Sequence, residues 1–233
     1  KSRLLADIEC LAQEDTPTGR KILLNGDLPP PDLCHSGELK LVSQLSQNMN
    51  FVVDLTVEQF VAMHAESRMI RDAGDVVQRI VDCANDLAGE RFGPDVPVTQ
   101  LSGGQSRALM IADTALLSPS PIVLIDEIEN AGVDRKKALG LLVRQDKIVL
   151  MSTHDPILAL LGGRRIVIRN GGIHAVVETG PVERANLAQL EHLDSKLMAL
   201  RNLLRGGGSI DFDLRAYFGL GAAALGSVRE EQR

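Results

Sequence analysis

Ile122-Val-Leu-Ile-Asp-Glu127 decides how this chain is read. A strand with one face in water alternates polar and apolar residues, whereas an unbroken apolar run belongs to a strand covered on both faces, as in a parallel sheet. A second run, Ile148-Val-Leu-Met151, is followed by Ser152-Thr-His-Asp155, and residues Arg135 to Arg144 between the two runs carry a short helix pattern. Strand, helix, strand in that order predicts a parallel α/β sheet. In such sheets ligands sit beyond the carboxyl ends of the strands, which puts Asp126, Glu127 and His154 on one ligand edge.

Working outward, Leu4, Leu5, Ile8 and Leu11 have helical spacing, so a helix starts almost at residue 1 and ends at Asp15-Thr-Pro-Thr-Gly19. Lys21 to Asn25 and Leu39 to Leu45 are predicted strands, with Leu28-Pro-Pro-Pro-Asp32 a rigid turn between them. From about 57 to 90 the apolar residues recur at helical intervals and read as a helical insert, broken by Arg91-Phe-Gly-Pro-Asp-Val-Pro97. Helix signals resume from Gly103 to Leu117, and Arg165–Arg169 with Ile173–Val177 around Asn170-Gly-Gly172 predict a hairpin. Leu190, Leu193, Leu197, Leu200 and Leu204 form one stripe in the tail, fit for packing on their own domain or on a partner, and Gly206-Gly-Gly-Ser209 reads as a flexible joint.

Composition narrows the function. The chain has 233 residues, 44% of them apolar, enough for a real core, and its 25 basic against 31 acidic residues give a net charge of −6. That balance exerts no overall pull toward nucleic acid, and no direct nucleic-acid binding is expected. Cys10, Cys34 and Cys83 form no Cys-x-x-Cys pair, which fits a reduced, cytoplasmic compartment. No apolar run approaches the roughly 20 residues that cross a bilayer, and no secretion leader is legible.

Leu101-Ser-Gly-Gly-Gln105 stands just before a helix. Paired glycines let backbone N–H groups approach a phosphate, and the helix's positive end adds attraction, although Ser102 as an ordinary N-cap explains the same residues. Asp126 and Glu127 can hold a divalent cation through water and orient an attacking water, or can simply be a solvated strand end. His154 can bond a phosphoryl oxygen or be structural. All three features occur in one order on successive elements.

Together these residues resemble the ATP-binding cassette (ABC) ATPases. LSGGQ matches the family signature, IVLIDE its Walker B strand, STHD its switch-histidine loop, and Gln47 with Asn48 to Val57 its Q-loop. Lys1-Ser2 before an amphipathic helix is similar to the last two residues of a Walker A sequence, whose glycines and preceding strands would then lie outside this sequence. The resemblance covers residues 1 to about 180. Asp126-Glu-Ile-Glu-Asn-Ala-Gly-Val-Asp134 departs from it by lacking the family's proline and by running one residue longer, and the interval from Asp134 to His154 is short.

The resemblance implies a P-loop NTPase-like, mostly parallel α/β fold: an ATPase core over 1–47 and 101–180, a helical signature subdomain over 48–100, and a C-terminal helical extension over 181–233. It implies ATP and Mg²⁺ as ligands. Lys1 would reach the β- and γ-phosphates; Ser2, Asp126 and Gln47 would hold Mg²⁺; Glu127 would polarise the attacking water; and His154 and Gln47 would sense the γ-phosphate. Ser102, Gly103, Gly104, Gln105 and Asp134 would complete the nucleotide site of a second ABC subunit, in a homodimer or heterodimer. The expected function is the peripheral nucleotide-binding subunit of a membrane transporter, docked through its helical insert on a transmembrane permease at the cytoplasmic face. A soluble cassette ATPase acting on nucleic acid, ribosomes or a protein assembly is the alternative, whereas a P-loop kinase or GTPase needs neither LSGGQ nor a switch histidine.

Overall fold

The structure is a computed structural model and describes residues 1–30, 33, 40–46, 51–70, 73–127 and 132–219. The chain divides into two compact units, Lys1–Asp155 and Pro156–Arg233, so the boundary falls inside the stretch expected to form the ATPase core.

The first unit is built on a parallel three-stranded sheet of β1 (Val42–Leu45), β2 (Ile122–Asp126) and β3 (Ile148–Ser152), in that spatial order. Residues Val123, Leu124 and Ile125 of the middle strand are 0%, 0% and 2% exposed, which is why the run shows no polar alternation. Helix α1 (Ser2–Glu9) packs Leu5 on Leu124 and Val42 of the sheet, with Leu11 from the following turn. At the amino edge, opposite the ligand edge, Lys147 Nζ donates to the carbonyls of Ser118 at 2.5 Å and Ser120 at 2.9 Å; burial pushes its pKa down.

The long connection from β1 to β2 carries the helical insert. Helices α2 (Val57–Ser67), α3 (Ala73–Leu87) and α4 (Gly103–Leu116) bury Val57, Phe60 and Val61, then Val77, Ile80, Val81, Ala84 and Leu87, then Ala108, Leu109, Ile111, Ala112 and Ala115. A capping box opens α2, with Gln59 N–H donating to Thr56 Oγ1 at 3.2 Å and Thr56 N–H to Gln59 Oε1 at 3.0 Å. The bundle also encloses a polar pair: the Asp113 carboxylate of α4, nearly buried, lies 3.1 Å from His64 Nδ1 of α2. Helix α5 (Arg135–Arg144) crosses from β2 back to β3.

The predicted strand at Lys21–Asn25 is not formed. Lys21 and Leu24 make only isolated bridges, to Gln13 and Asp27, because Asn25 and Gly26 both take positive φ (53° and 94°) and reverse the chain at once. This turn segment is held by Asp7 of α1, whose buried carboxylate accepts from Thr16 Oγ1 at 2.9 Å, Thr18 Oγ1 at 2.8 Å and Arg20 Nη1 at 2.5 Å. Of the predicted Leu39–Leu45 strand, Val42–Leu45 forms and Leu39 lies outside the described residues.

In the second unit, α6 (Pro156–Leu161) precedes an antiparallel hairpin of β4 (Arg164–Arg169) and β5 (Gly172–Glu178), closed by Asn170-Gly171 with φ of 50° and 82°. Helix α7 (Pro181–Arg205) follows, its start fixed by Glu183, which accepts from Arg165 at 2.6 Å and from Gly180 N–H at 3.1 Å. The predicted joint at Gly206–Ser209 is instead an ordered helix end: Gly206, Gly207 and Gly208 N–H groups donate to the carbonyls of Asn202, Leu204 and Leu203. The chain then turns back into α8 (Leu214–Phe218).

Asp7 makes the first unit's stability pH-dependent. Burial raises its pKa, but hydrogen bonds from Arg20, Thr18 and Thr16 and the guanidinium charge outweigh burial and hold it below the ordinary carboxylate value. A folded pKa below the unfolded one stabilises the fold above the unfolded value, and that stabilisation is lost as pH falls through the folded value. Asp7→Asn is therefore expected to lower the melting temperature at pH 7 and to lose its difference from wild type at acid pH; calorimetric melts across pH check this, and an offset that does not change with pH would contradict it.

Candidate functional site

Because β2 and β3 are parallel, their carboxyl ends face the same way, and Asp126 pairs in register with Ser152. Glu127 extends this pairing by one step, its N–H donating to Ser152 O at 3.1 Å, while its backbone takes φ +48°. A left-handed conformation costs a non-glycine residue about 1–2 kcal/mol, and such residues cluster at functional sites. Two oxygens at this edge are buried without a hydrogen-bond partner, Asp126 Oδ1 and Ser152 Oγ. An ionised carboxylate oxygen kept from water and protein donors is well matched to a cation. The donor set fits Mg²⁺, which takes oxygen ligands.

The amino end of α1 reaches the same edge. Lys1 caps the helix, Ser2 is its first residue, and Lys1 Nζ donates to Thr153 O at 3.3 Å. His154 is exposed, and the segment around it is fixed from both sides: Asp155 N–H donates to Thr153 Oγ1 at 2.9 Å, and the Asp155 carboxylate pairs with Arg135 at the start of α5. The structure thus brings Lys1, Ser2, Asp126, Glu127 and His154 to one edge of the sheet. Gln47 lies outside the described residues.

A second group surrounds the start of α4. Ser102 caps it in a capping box: Gln105 N–H donates to Ser102 Oγ at 3.3 Å, and Ser102 N–H to Gln105 Oε1 at 2.9 Å. Gln105 Nε2 also reaches the carbonyls of Glu90 and Arg91 at 3.4 and 3.5 Å. Gly103 is exposed, and nothing lies within 4 Å of where a Cβ would stand. Gly104 Cα lies 3.6 Å from the Cβ position of Gly132, an ordinary contact, and it is the positive φ of +64° at Gly132 that favours glycine there. From there the chain runs through Val133, bridged to Ala88, to Asp134, whose N–H donates to Leu87 O at 2.9 Å and whose carboxylate caps α5 through Lys137 N–H at 3.1 Å. Asp134 is therefore tied both to the end of α3 and to the segment beside the signature.

Sequence reasoning missed the supporting residues. Ser152 and Thr153 lie inside a quoted motif, but that Ser152 flanks Asp126 is visible only once the strands are in register. Arg135 carried no signal, since its pairing with Asp155 depends on how α5 returns to β3.

Fold and edge together define an ATP-binding cassette. No family model matches the chain. An uncharacterized ABC transporter ATP-binding protein of Methanocaldococcus jannaschii is 49% identical over 207 residues, 89% of this chain and 79% of that protein. The lipoprotein-releasing system ATP-binding protein of Psychrobacter arcticus is 27% identical over 169 residues, 67% of this chain and 73% of its own. Among solved structures, a dimeric bacterial ABC transporter cassette superposes with a TM-score of 0.57 at 26% identity, covering 77% of this chain and 80% of that one. The chain belongs to the ABC transporter ATP-binding proteins.

The capping role of Ser102 can be separated from any ligand role. Ser102→Ala removes the acceptor for Gln105 N–H and is expected to cost about 1 kcal/mol in urea unfolding, whereas Ser102→Asn, an equally good cap, is expected to stay within a few tenths of wild type. Equal losses in both would contradict the cap.

Proposed function

We propose that this chain is the nucleotide-binding subunit of an ABC transporter, binding ATP at the carboxyl edge of β2 and β3 and hydrolysing it to drive a transmembrane permease. The observation that carries this reading is the gathering of Lys1, Asp126, Glu127 and His154 at one sheet edge, with Asp126 Oδ1 buried and unpartnered. Lys1 and the N-terminal N–H groups of α1 bind the β- and γ-phosphates. Asp126, Ser2 and Gln47 would hold Mg²⁺, which would neutralise charge on the phosphate oxygens. Glu127 orients a water whose oxygen attacks the γ-phosphorus in line with the bond to ADP. That bond breaks, ADP and inorganic phosphate leave, and the water's proton passes to the Glu127 carboxylate. His154 and Gln47 contact the γ-phosphate.

The exposed signature turn supplies the rest. Ser102, Gly103, Gly104 and Gln105 donate across a head-to-tail dimer to nucleotide held by the other subunit, with Asp134 beside them. The dimeric form of the similar bacterial cassette supports a pairing of two subunits. The helical insert is the docking element for the permease, which places the chain on the cytoplasmic face of a membrane. No helix among the described residues is long and apolar enough to cross a membrane. The transport names of the relatives support this reading over a soluble cassette acting on nucleic acid or ribosomes.

Removing the acid of the chemical step while leaving phosphate contacts intact separates binding from turnover. Glu127→Gln in the full-length protein is expected to reduce ATP hydrolysis at least about a hundredfold and to accumulate an ATP-bound dimer on gel filtration. Unchanged turnover would remove Glu127 from this role.

A further inference from the structure

The residues that carry His154 past the sheet edge belong to no helix or strand: β3 ends at Ser152 and α6 begins at Pro156. Asp155 ties this link to the start of α5, its carboxylate paired with Arg135, and the Arg135 and Asp155 side chains are only 22% and 16% exposed. At that exposure the pair escapes much of the solvent screening that makes surface pairs weak. Arg135 stands there against local preference. Beyond the Asp134 cap, α5 opens with Arg135-Lys136-Lys137 and no acid in its first turn, which sets three cations at the positive end of the helix dipole. A residue that breaks a local rule is expected to be compensated elsewhere, and the Asp155 carboxylate, twenty residues on, supplies the opposite charge. On its other side Arg135 adjoins a short ladder. Asp134 N–H donates to Leu87 O at 2.9 Å, Gly89 N–H donates to Gly132 O at 3.3 Å, and Val133 is bridged to Ala88, so residues 132–134 are fixed to the end of α3.

We propose that Arg135 is a positioning residue for ATP hydrolysis: by pairing with Asp155 it fixes the segment carrying His154 to the segment carrying Asp134. The inference rests on the roles proposed above for those neighbours. His154 contacts the γ-phosphate held by its own subunit, whereas Asp134 stands with the signature turn at nucleotide held by the other. Each flanks the pair directly, Asp134 one residue before Arg135 and His154 one residue before Asp155. A charge-assisted bond between a guanidinium and a carboxylate has a defined direction, so it restricts the backbone that bears each partner. Arg135 acts through Asp155 on His154. A misplacement of about 1 Å in a group that contacts the reacting phosphate can cost about a hundredfold in rate. Because residues 132–134 are laddered to α3, the same pair also connects the helical insert to the switch histidine, from Leu87 to Asp134 through the backbone and from Arg135 to Asp155 through side chains.

Steady-state ATP hydrolysis by the full-length protein, with equilibrium ATP binding and thermal melts alongside, tests it. Arg135→Ala and Asp155→Ala are each expected to lower kcat roughly tenfold while KM and ATP affinity stay within about twofold of wild type. The melting temperature of Arg135→Ala is expected to stay within about 2 °C of wild type, because loss of the pair is offset by removal of a cation from the positive end of α5. The double variant Arg135→Ala/Asp155→Ala is expected to be no slower than either single one, and the exchange Arg135→Asp/Asp155→Arg to recover kcat to within about threefold of wild type. A wild type that hydrolyses no ATP would overturn the reading of the site and this inference with it. With wild type active, unchanged kcat in both single variants would overturn the inference alone. Additive losses in the double variant, an exchange no faster than the singles, or parallel losses of kcat, ATP affinity and melting temperature would overturn it as well, leaving the pair a purely structural one.

Discussion

Asp126 terminates the central strand of a sheet whose neighbours run parallel to it, and one of its carboxylate oxygens is buried with no hydrogen-bond donor. The rest of the site is arranged around that oxygen. The register with β3 sets Ser152 beside it and carries Thr153 and His154 past the sheet edge, where Lys1 contacts the Thr153 carbonyl. A buried polar oxygen without a donor is costly, and a cation ligand would complete it. Crossovers from β1 to β2 and from β2 to β3 serve the same end, because each must return to the amino edge to keep the strands parallel.

Beside its proposed role toward nucleotide, the signature turn caps a helix. The Ser102 and Gln105 side chains close a capping box that satisfies local backbone donors, so the helix start is stable without ligand. Gly103 leaves its surroundings open. The capping box takes up the Ser102 and Gln105 backbone N–H groups, whereas Gly103 between them stays exposed. Asp134 follows a similar pattern, its carboxylate capping α5 while its N–H ties the segment to the end of α3.

Much of this was legible in the sequence, for identifiable reasons. The central strand β2 announced its burial by an unbroken apolar run, whereas the same pattern in β3 belongs to a strand whose Ile148 is 58% exposed and whose next three residues are only half-buried; α5 was legible from its spacing over Arg135 to Arg144, and the hairpin from Asn170-Gly171 between β-branched residues. Lys21 to Asn25 misled because an apolar run is compatible with a strand, while the Asn25-Gly26 turn that reverses it leaves no room for a ladder. The glycines after α7 misled because composition alone favours flexibility, whereas their N–H groups satisfy the last carbonyls of the helix. Polar contacts between distant positions left no local trace at all: Asp7 with Arg20, His64 with Asp113, and Arg135 with Asp155 come together only through tertiary structure.

The most direct test of the account asks whether Asp126 holds a cation beside nucleotide. Electron paramagnetic resonance of Mn²⁺ bound with ATP to the full-length protein reads the metal environment without requiring turnover. The account predicts a bound signal with phosphorus couplings in wild type and, in Asp126→Asn, metal affinity at least about tenfold weaker with metal-free nucleotide binding unchanged. Equal Mn²⁺ affinity and an identical spectrum in the two proteins would contradict it.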